Sequence, residues 1–478
     1  MNSKIRAAGP MVALLALASA IGTGACSDDI EVKRPTVDAG TNADATPTVD
    51  AAAPSDAAPT DASIVWPDGA VRDAGSFDAA PADAGTADTG TPNLGMALWL
   101  GTDFASTEAV VVAPSGSGQS VAVAGRTVIA SGDVVAATSH GRTFLLLRDT
   151  GVVKVLDPAR PWIVQRDIAL APDAGAYSEN PYDVAYVPSI ARALVVRYAD
   201  NGIAVIDPAT GARETNIDLT PLAAAGDPDG LVDAVQLIAD ESAGKVYGLV
   251  QRIDQFDFSG KCSPAKPLVT AIGTTTRQLT GPAVGSQAAI ELRGANPQQM
   301  VFDATGKKLY VVSVGCTEGD ASTVYTRRGI EEVDLVTGSV RWVVQANGTD
   351  RLGSLLSYSG SSGYAREGST WRAWSAASST LGPTSFTGIA PLMVTAGTVL
   401  RLTATPVDGG TDWAMRISAP TTSVDLVVGA SPWSNVRPDA AYGVSGVFLP
   451  GASSAPSQAV RAPSFSPEAM RRRAPSAR

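Results

Sequence analysis

The sequence predicts an all-β fold built from stacked repeats of four short strands, and three observations carry that reading. Residues 180–219, NPYDVAYVPSIARALVVRYADNGIAVIDPATGARETNIDL, hold short apolar runs separated by turn residues. The same outline returns before and after this stretch, at intervals of about 50 residues. Apolar residues almost never recur at the three-and-four spacing of an amphipathic helix. Across 478 residues, 47 glycines and 32 prolines supply the punctuation that so many short strands need.

The first segment stands apart from the fold. In residues 1–25, Lys4 and Arg6 precede the apolar run from Met11 to Ala18, which gives way to Thr23-Gly24-Ala25 before Cys26. A basic start, an apolar core too short to span a bilayer and a small-residue cleavage zone read as a secretory signal peptide. The end of this segment resembles a bacterial lipobox, with Thr23 where Leu is usual. That resemblance implies cleavage before Cys26, a lipid on its sulfur, and a cell-envelope location with the membrane as partner. Ser27 after the anchor resembles the outer-membrane sorting pattern of enteric bacteria, facing periplasm or cell surface. Plain secretion with an unpaired thiol is the alternative. No later stretch reaches the roughly 18–20 apolar residues of a transmembrane helix.

Residues 26–95 read as the anchor cysteine followed by a disordered acidic tether. Asp recurs at 38, 44, 50, 56, 61, 68, 73, 78, 83 and 88 among Ala, Thr, Pro and Gly. Such a composition buries too little surface to offset its chain entropy. Thirteen carboxylates against three cations place most of the net charge of −11 here, and self-repulsion extends the chain. Beyond the folded part, residues 453–478 are rich in Pro, Ser and Ala and carry Arg471-Arg472-Arg473, a disordered basic tail.

Residues 96–452 hold the repeats. Within the best one, Asp183 to Val187 is strand-like and stops at Pro188, and Ala193 to Tyr198 is a second run. Asp200-Asn201-Gly202 tolerates positive φ and turns the chain into Ile203 to Asp207. Pro-Ala-Thr-Gly turns it again towards a fourth strand over Glu214 to Leu219. An earlier copy runs through Gly132 to Ala137, Phe144 to Leu147 and Val152 to Pro158. A weaker one uses Val235 to Ile238, Lys245 to Val250 and Gln255 to Phe258. A later one opens at Asn296-Pro297, passes Met300 to Phe302 and Lys308 to Val312, and closes over Gly329 to Gly338. Ser357 to Ser379, rich in Gly and Ser, reads mostly as loops.

These copies resemble the YVTN-type and quinoprotein-like β-propeller repeats, and Asp334-x-x-Thr337-Gly338-x-x-x-Trp342 matches a Trp-docking signature. The resemblance implies a β-propeller of about seven blades of four antiparallel strands. It also implies a Trp342 packed between blades and a ring closed by pairing 97–101 with 445–449. On residues alone, a sandwich or solenoid remains the other all-β arrangement.

Cys262 and Cys316 are an even pair in an exported chain, and each sits in or beside a loop of consecutive repeats; a disulfide between them is expected. They resemble no zinc site, and His140, the only histidine, lies in a tight turn. No nucleophile elbow, phosphate loop or dinucleotide fingerprint occurs, so no catalytic residue, resident metal or cofactor is assigned. Asp227-Pro-Asp229-Gly230-Leu-Val-Asp233 offers alternate oxygens around a glycine, the arrangement a Ca²⁺ ion needs, and equally a plain Asp turn. An acidic chain argues against nucleic acid, whose affinity rests on Lys and Arg. Trp342, Trp371, Trp374, Trp413 and Trp433 could stack on sugars or pack blades.

The expected function is that of an envelope-anchored lipoprotein whose propeller is a non-catalytic binding or scaffold module for a protein or glycan. The alternative is a metal-dependent hydrolase or lactonase with carboxylates at the propeller channel. By resemblance to lactonase-type propellers, Glu179-Asn180 and Asn296 would stand at that position.

Overall fold

Long apolar runs become strands here because both faces of each strand are buried. In the run Arg192–Arg197, Ala193 and Val195 join the apolar cluster shared with the preceding repeat, while Leu194 and Val196 join the next. The computed structural model describes residues 96–449 except 104, 116–119, 171–179, 199, 225–228, 255–260, 284–287, 319–323, 347–351, 360–361, 368–369, 388–391, 396–397, 408–411, 420–423 and 429–443. The signal segment, Cys26, the tether and the tail lie outside the described residues.

The strands form seven four-stranded antiparallel blades. Blade 1 takes β1 (Met96–Thr102), β2 (Thr107–Ser115) and β3 (Ser120–Ile129) from the start of the domain. Blade 2 is β4 (Val134–Ser139), β5 (Arg142–Leu147), β6 (Val152–Leu156) and β7 (Val164–Ala169). Blade 3 is β8 (Pro181–Val187), β9 (Arg192–Arg197), β10 (Gly202–Ile206) and β11 (Ile217–Asp218). Blade 4 is β12 (Ala234–Asp240), β13 (Lys245–Val250) and β14 (Leu268–Gly273), its fourth strand split into β15 (Leu279–Thr280) and β16 (Ala289–Glu291). Blade 5 starts with β17 (Pro297–Asp303) and β18 (Lys308–Ser313) and carries a two-stranded ribbon, β19 (Cys316–Thr317) and β20 (Tyr325–Thr326). It finishes with β21 (Arg328–Asp334) and β22 (Val340–Ala346). Blade 6 is β23 (Leu352–Ser359), β24 (Ser362–Glu367), β25 (Thr370–Ser375) and β26 (Thr384–Thr387). Blade 7 is β27 (Leu392–Thr395), β28 (Thr398–Val407), β29 (Asp412–Ala419) and β30 (Val424–Val428).

The last strand, β31 (Val444–Leu449), then returns to blade 1 and pairs with β1, Ala97 facing Phe448 and Gly101 facing Val444. This is the closure expected from the two chain ends. The architecture is a seven-bladed β-propeller in which β31, β4, β8, β12, β17, β23 and β27 are the inner strands and consecutive ones lie side by side.

Two of the expected elements differ. The Gly/Ser-rich stretch from Ser357 to Ser379 is mostly strand, because Trp371 and Trp374 supply the burial its small residues lack. In blade 4 the third strand is β14, whose residues are almost all buried, and Gln255 to Phe258 lies outside the described residues. Trp342 is half-buried above Gly329 of its own blade, whereas Trp374 meets Tyr310 of blade 5 at 5.1 Å, edge to face, across the blade boundary.

The Asp-x-x-Thr-Gly signature is explained by its turn. Asp207 Oδ1 accepts from the N–H groups of Ala209 (2.8 Å) and Thr210 (3.3 Å). Asp334 does the same for Val336 (2.9 Å) and Thr337 (2.8 Å). Gly211 and Gly338 then take φ of 81° and 75°, the left-handed region where glycine avoids a Cβ penalty. The first of these turns braces a neighbouring blade, since Arg166 on β7 donates to Ala209 O; a separate bond from Arg341 on β22 to Ala376 O ties blade 5 to the next blade.

A second seam joins the inner strands. Tyr186 N donates to Ser139 Oγ (2.9 Å), Leu237 N to Asp183 Oδ2 (2.8 Å), and Met300 N to Gln236 Oε1 (2.6 Å). Each pair links one blade to the next, and each satisfies a backbone N–H on the unpaired edge of an inner strand. Asp183 and Gln236 reach across from bulged starts of β8 and β12. Asp183→Ala strands the buried Leu237 N–H, and a loss of about 1–3 kcal/mol is expected in denaturant unfolding; an unchanged midpoint would refute the seam. Gly125→Ala is expected to cost ~1–3 kcal/mol by overpacking, because its Cβ would fall 2.2 Å from Trp162 Cγ of blade 2. A thermal melt of that variant reads the effect.

Candidate binding site

One end of the propeller, here called the mouth, is where the inner strands begin and the second strands end. Asp133, Asn180, Asp233 and Asn296 stand directly before β4, β8, β12 and β17. Arg148, Tyr198, Gln251 and Val314 stand directly after β5, β9, β13 and β18. Backbone bonds pair the two sets: Arg148 N to Asp133 O (2.9 Å), Tyr198 N to Asn180 O (3.1 Å), Gln251 N to Asp233 O (3.0 Å) and Val314 N to Asn296 O (3.3 Å). Asn180, Asp233 and Asn296 adopt φ of 40°, 53° and 50°, which short polar side chains tolerate better than others. Repetition of the fold thus lines up side chains from four blades.

Their side chains form a chain of contacts. Arg148 donates through Nε (2.9 Å) and Nη2 (2.6 Å) to Asp133 Oδ1, with its guanidinium 5.5 Å from the Tyr182 ring centre. Tyr182 stacks on Tyr198 at 4.9 Å, and the Tyr198 hydroxyl donates to Gln251 Oε1 (3.1 Å). Gln251 Nε2 in turn donates to Asn296 Oδ1 (3.1 Å) and Pro297 O (2.7 Å). Burial, and then the Asp233 carboxylate, hold the Tyr198 hydroxyl well above its ordinary pKa, so it stays a donor throughout the neutral range. The arrangement fixes a charged pair, two stacked rings and two amides, and it commits them to one another.

The sequence-derived candidates fall around and away from this mouth. Asn180 and Asn296 belong to it, and Glu179 lies outside the described residues. Of the aspartate loop, Asp227 lies outside the described residues, Asp229 accepts from Leu231 N (2.9 Å), and the buried Asp233 accepts from Ile253 N (2.8 Å). Among the described residues no three His, Cys, Asp or Glu side chains converge as a metal site. His140 is at the opposite end, in the β4–β5 turn with φ of 46°. Its Nδ1 lies 3.3 Å from Ser139 Oγ, which is already committed to Tyr186 N. Trp371 and Trp374 are buried and cannot stack on a sugar; Trp413 lies on β29, and Trp433 is outside the described residues.

Cys262 and Cys316 form a disulfide with Cα atoms 4.8 Å apart. It ties the excursion after β13 to the β19–β20 ribbon, where Cys262 N also donates to Thr317 O (3.0 Å) and Lys261 bridges Thr317 in parallel. Both excursions leave from the mouth end, after β13 and β18. Arg148, Tyr182, Tyr198 and Gln251 were not singled out by sequence reasoning. For Arg148, Tyr198 and Gln251 the one sequence signal is position, a polar or aromatic residue just after the second apolar run of the repeat, whereas Tyr182 lies on β8, the first strand of its repeat.

No protein-family profile and no curated protein matches the chain. Solved structures do. BamB from Moraxella catarrhalis is 15% identical, covering 64% of this chain and 78% of its own, with a TM-score of 0.39. Apo AztD from Citrobacter koseri is 10% identical, covering 74% and 98%, at 0.42. The dihydro-heme d1 dehydrogenase NirN in complex with DHE is 12% identical, covering 77% and 78%, at 0.46. At such identities the likeness concerns the fold alone.

Proposed function

We propose that the mature chain is a lipoprotein anchored in the bacterial cell envelope through Cys26, and that its propeller binds a protein or glycan at the mouth without catalysis. The observation that carries this reading is the contact chain from Asp133 through Arg148, Tyr182, Tyr198 and Gln251 to Asn296. The half-buried Asp133, Tyr182, Tyr198 and Asn296 are held in place from beneath by the buried Arg148 and Gln251, and such prearrangement lowers the ordering cost of recognition. The same commitment leaves them poorly placed to exchange protons with a substrate, because a general acid or base must reach the reacting atom directly.

Two measurements test the two halves. Metabolic labelling with palmitate should mark the wild-type chain and not Cys26→Ala; equal labelling would remove the anchor. A photoreactive residue replacing Tyr182 should give discrete cross-linked adducts in cells, and one replacing the exposed Ser189 at the other end should not. Adducts at Ser189 alone would move binding away from the mouth.

A further inference from the structure

The two sulfurs of the disulfide have unlike surroundings. Cys316 is 3% exposed, whereas Cys262 is only half-buried. Arg327 Nη2 donates to Cys316 Sγ (3.4 Å), which puts a guanidinium against that sulfur. Near Cys262 Sγ the polar neighbour is the Thr326 hydroxyl, at 3.9 Å, and it is itself bonded to Glu318 Oε1 (3.1 Å). The pair sits beside the mouth. Gly315 N donates to Ala295 O (2.9 Å) and Ala295 N to Arg327 O (2.9 Å), one residue before Asn296.

This asymmetry sets a direction for sulfur chemistry. A cation in contact with a sulfur favours its thiolate over its thiol, and a stabilised thiolate leaves faster. An attacking thiolate must also reach the sulfur it bonds, which selects the more accessible of the two. Both factors point the same way. We propose that Cys262–Cys316 is a site of thiol–disulfide exchange with an external thiolate. The incoming sulfur bonds to Cys262 Sγ, the S–S bond breaks, and its electron pair leaves on Cys316 Sγ beside Arg327. A second thiolate from the donor then displaces Cys262 from the mixed disulfide. Two electrons and two protons pass to the pair, and the donor ends as a disulfide. The donor is defined by that chemistry: a small monothiol used twice, or the dithiol of a protein.

The test uses the folded chain with Cys26→Ser, which leaves these two as its only cysteines. Glutathione and a Cys-x-x-Ser form of a dithiol oxidoreductase are supplied in parallel without denaturant. Each reaction is quenched with iodoacetamide and mapped by mass spectrometry. The expected product carries the donor on Cys262 and the alkyl group on Cys316, with at least one donor. The faster donor tells a small thiol from a protein. Adducts on Cys316, an even mixture, or no adduct from either donor would overturn the assignment. Arg327→Gln should slow capture about threefold or more. It should also raise the pH needed to alkylate Cys316 in the reduced protein. A merely structural loss would loosen the ribbon and quicken capture, so an unchanged or faster rate would remove Arg327 from the reaction.

Discussion

Replacing Cys262 and Cys316 together by serine is expected to lower the stability of the propeller by about 4 kcal/mol. The bridge closes a loop with a sequence separation of 54 residues, and the chain-entropy account of loop closure gives that magnitude. It also spans blades 4 and 5, so its loss frees the excursion after β13 and the β19–β20 ribbon together. Thermal melts with and without reductant measure the effect. Wild type should melt several degrees lower when reduced, and the double variant should ignore the reductant. A double variant as stable as the oxidised wild type would show that the ribbon is held by its backbone bonds alone.

Glu331 is expected to make stability fall as pH rises from about 4.5 to 7. It is fully buried on β21, where its carboxylate accepts from Arg293 N (2.7 Å) and Gly294 N (2.8 Å). Burial raises its pKa from 4.5 to about 7, against the pull of those two N–H groups. The folded protein therefore holds this proton more tightly than the unfolded chain does. Its contribution is complete below pH 4.5 and is lost as pH rises through 7, an effect of about 3 kcal/mol for a shift of this size. Glu331→Gln should flatten that part of the pH profile while keeping one acceptor for the two N–H groups. Parallel melting curves for wild type and variant from pH 4.5 to 8 would contradict it. Because residues 293–295 lead into Asn296, the variant also reports how firmly the connection to the mouth is held.

The seam prediction at Asp183 tests a feature that repeats, so its outcome bears on Ser139 and Gln236 as well. In each case an inner strand has a free edge, and a side chain from the preceding blade fills it. A propeller held only by apolar packing would tolerate Asp183→Ala; one held also at its inner edges would not.

The sequence by itself determined the strand texture and the four-strand period; the closure of the two ends was implied by the resemblance to propeller repeats and is fixed by the register of β1 on β31. Runs such as Leu194-Val195-Val196 are apolar on both faces, and turns such as Asp207-Pro-Ala-Thr-Gly211 encode their geometry locally, through one carboxylate and one left-handed glycine. Where the local signal was diluted, in the Gly/Ser-rich strands of blade 6, composition misled because burial there comes from Trp371 and Trp374, the latter against Tyr310 of the preceding blade. Only the tertiary structure decided the mouth. Arg148, Tyr182, Tyr198, Gln251 and Asn296 come from four blades spread over about 150 residues of sequence; resemblance placed Asn296 at the channel, but nothing in any one repeat marks the other four as its partners. They meet because inner strands of successive blades lie side by side, which brings equivalent positions of each repeat to the same end. The closure of the ring has the same origin: a register between the first and last strands, set by cross-strand pairing between residues far apart in the chain.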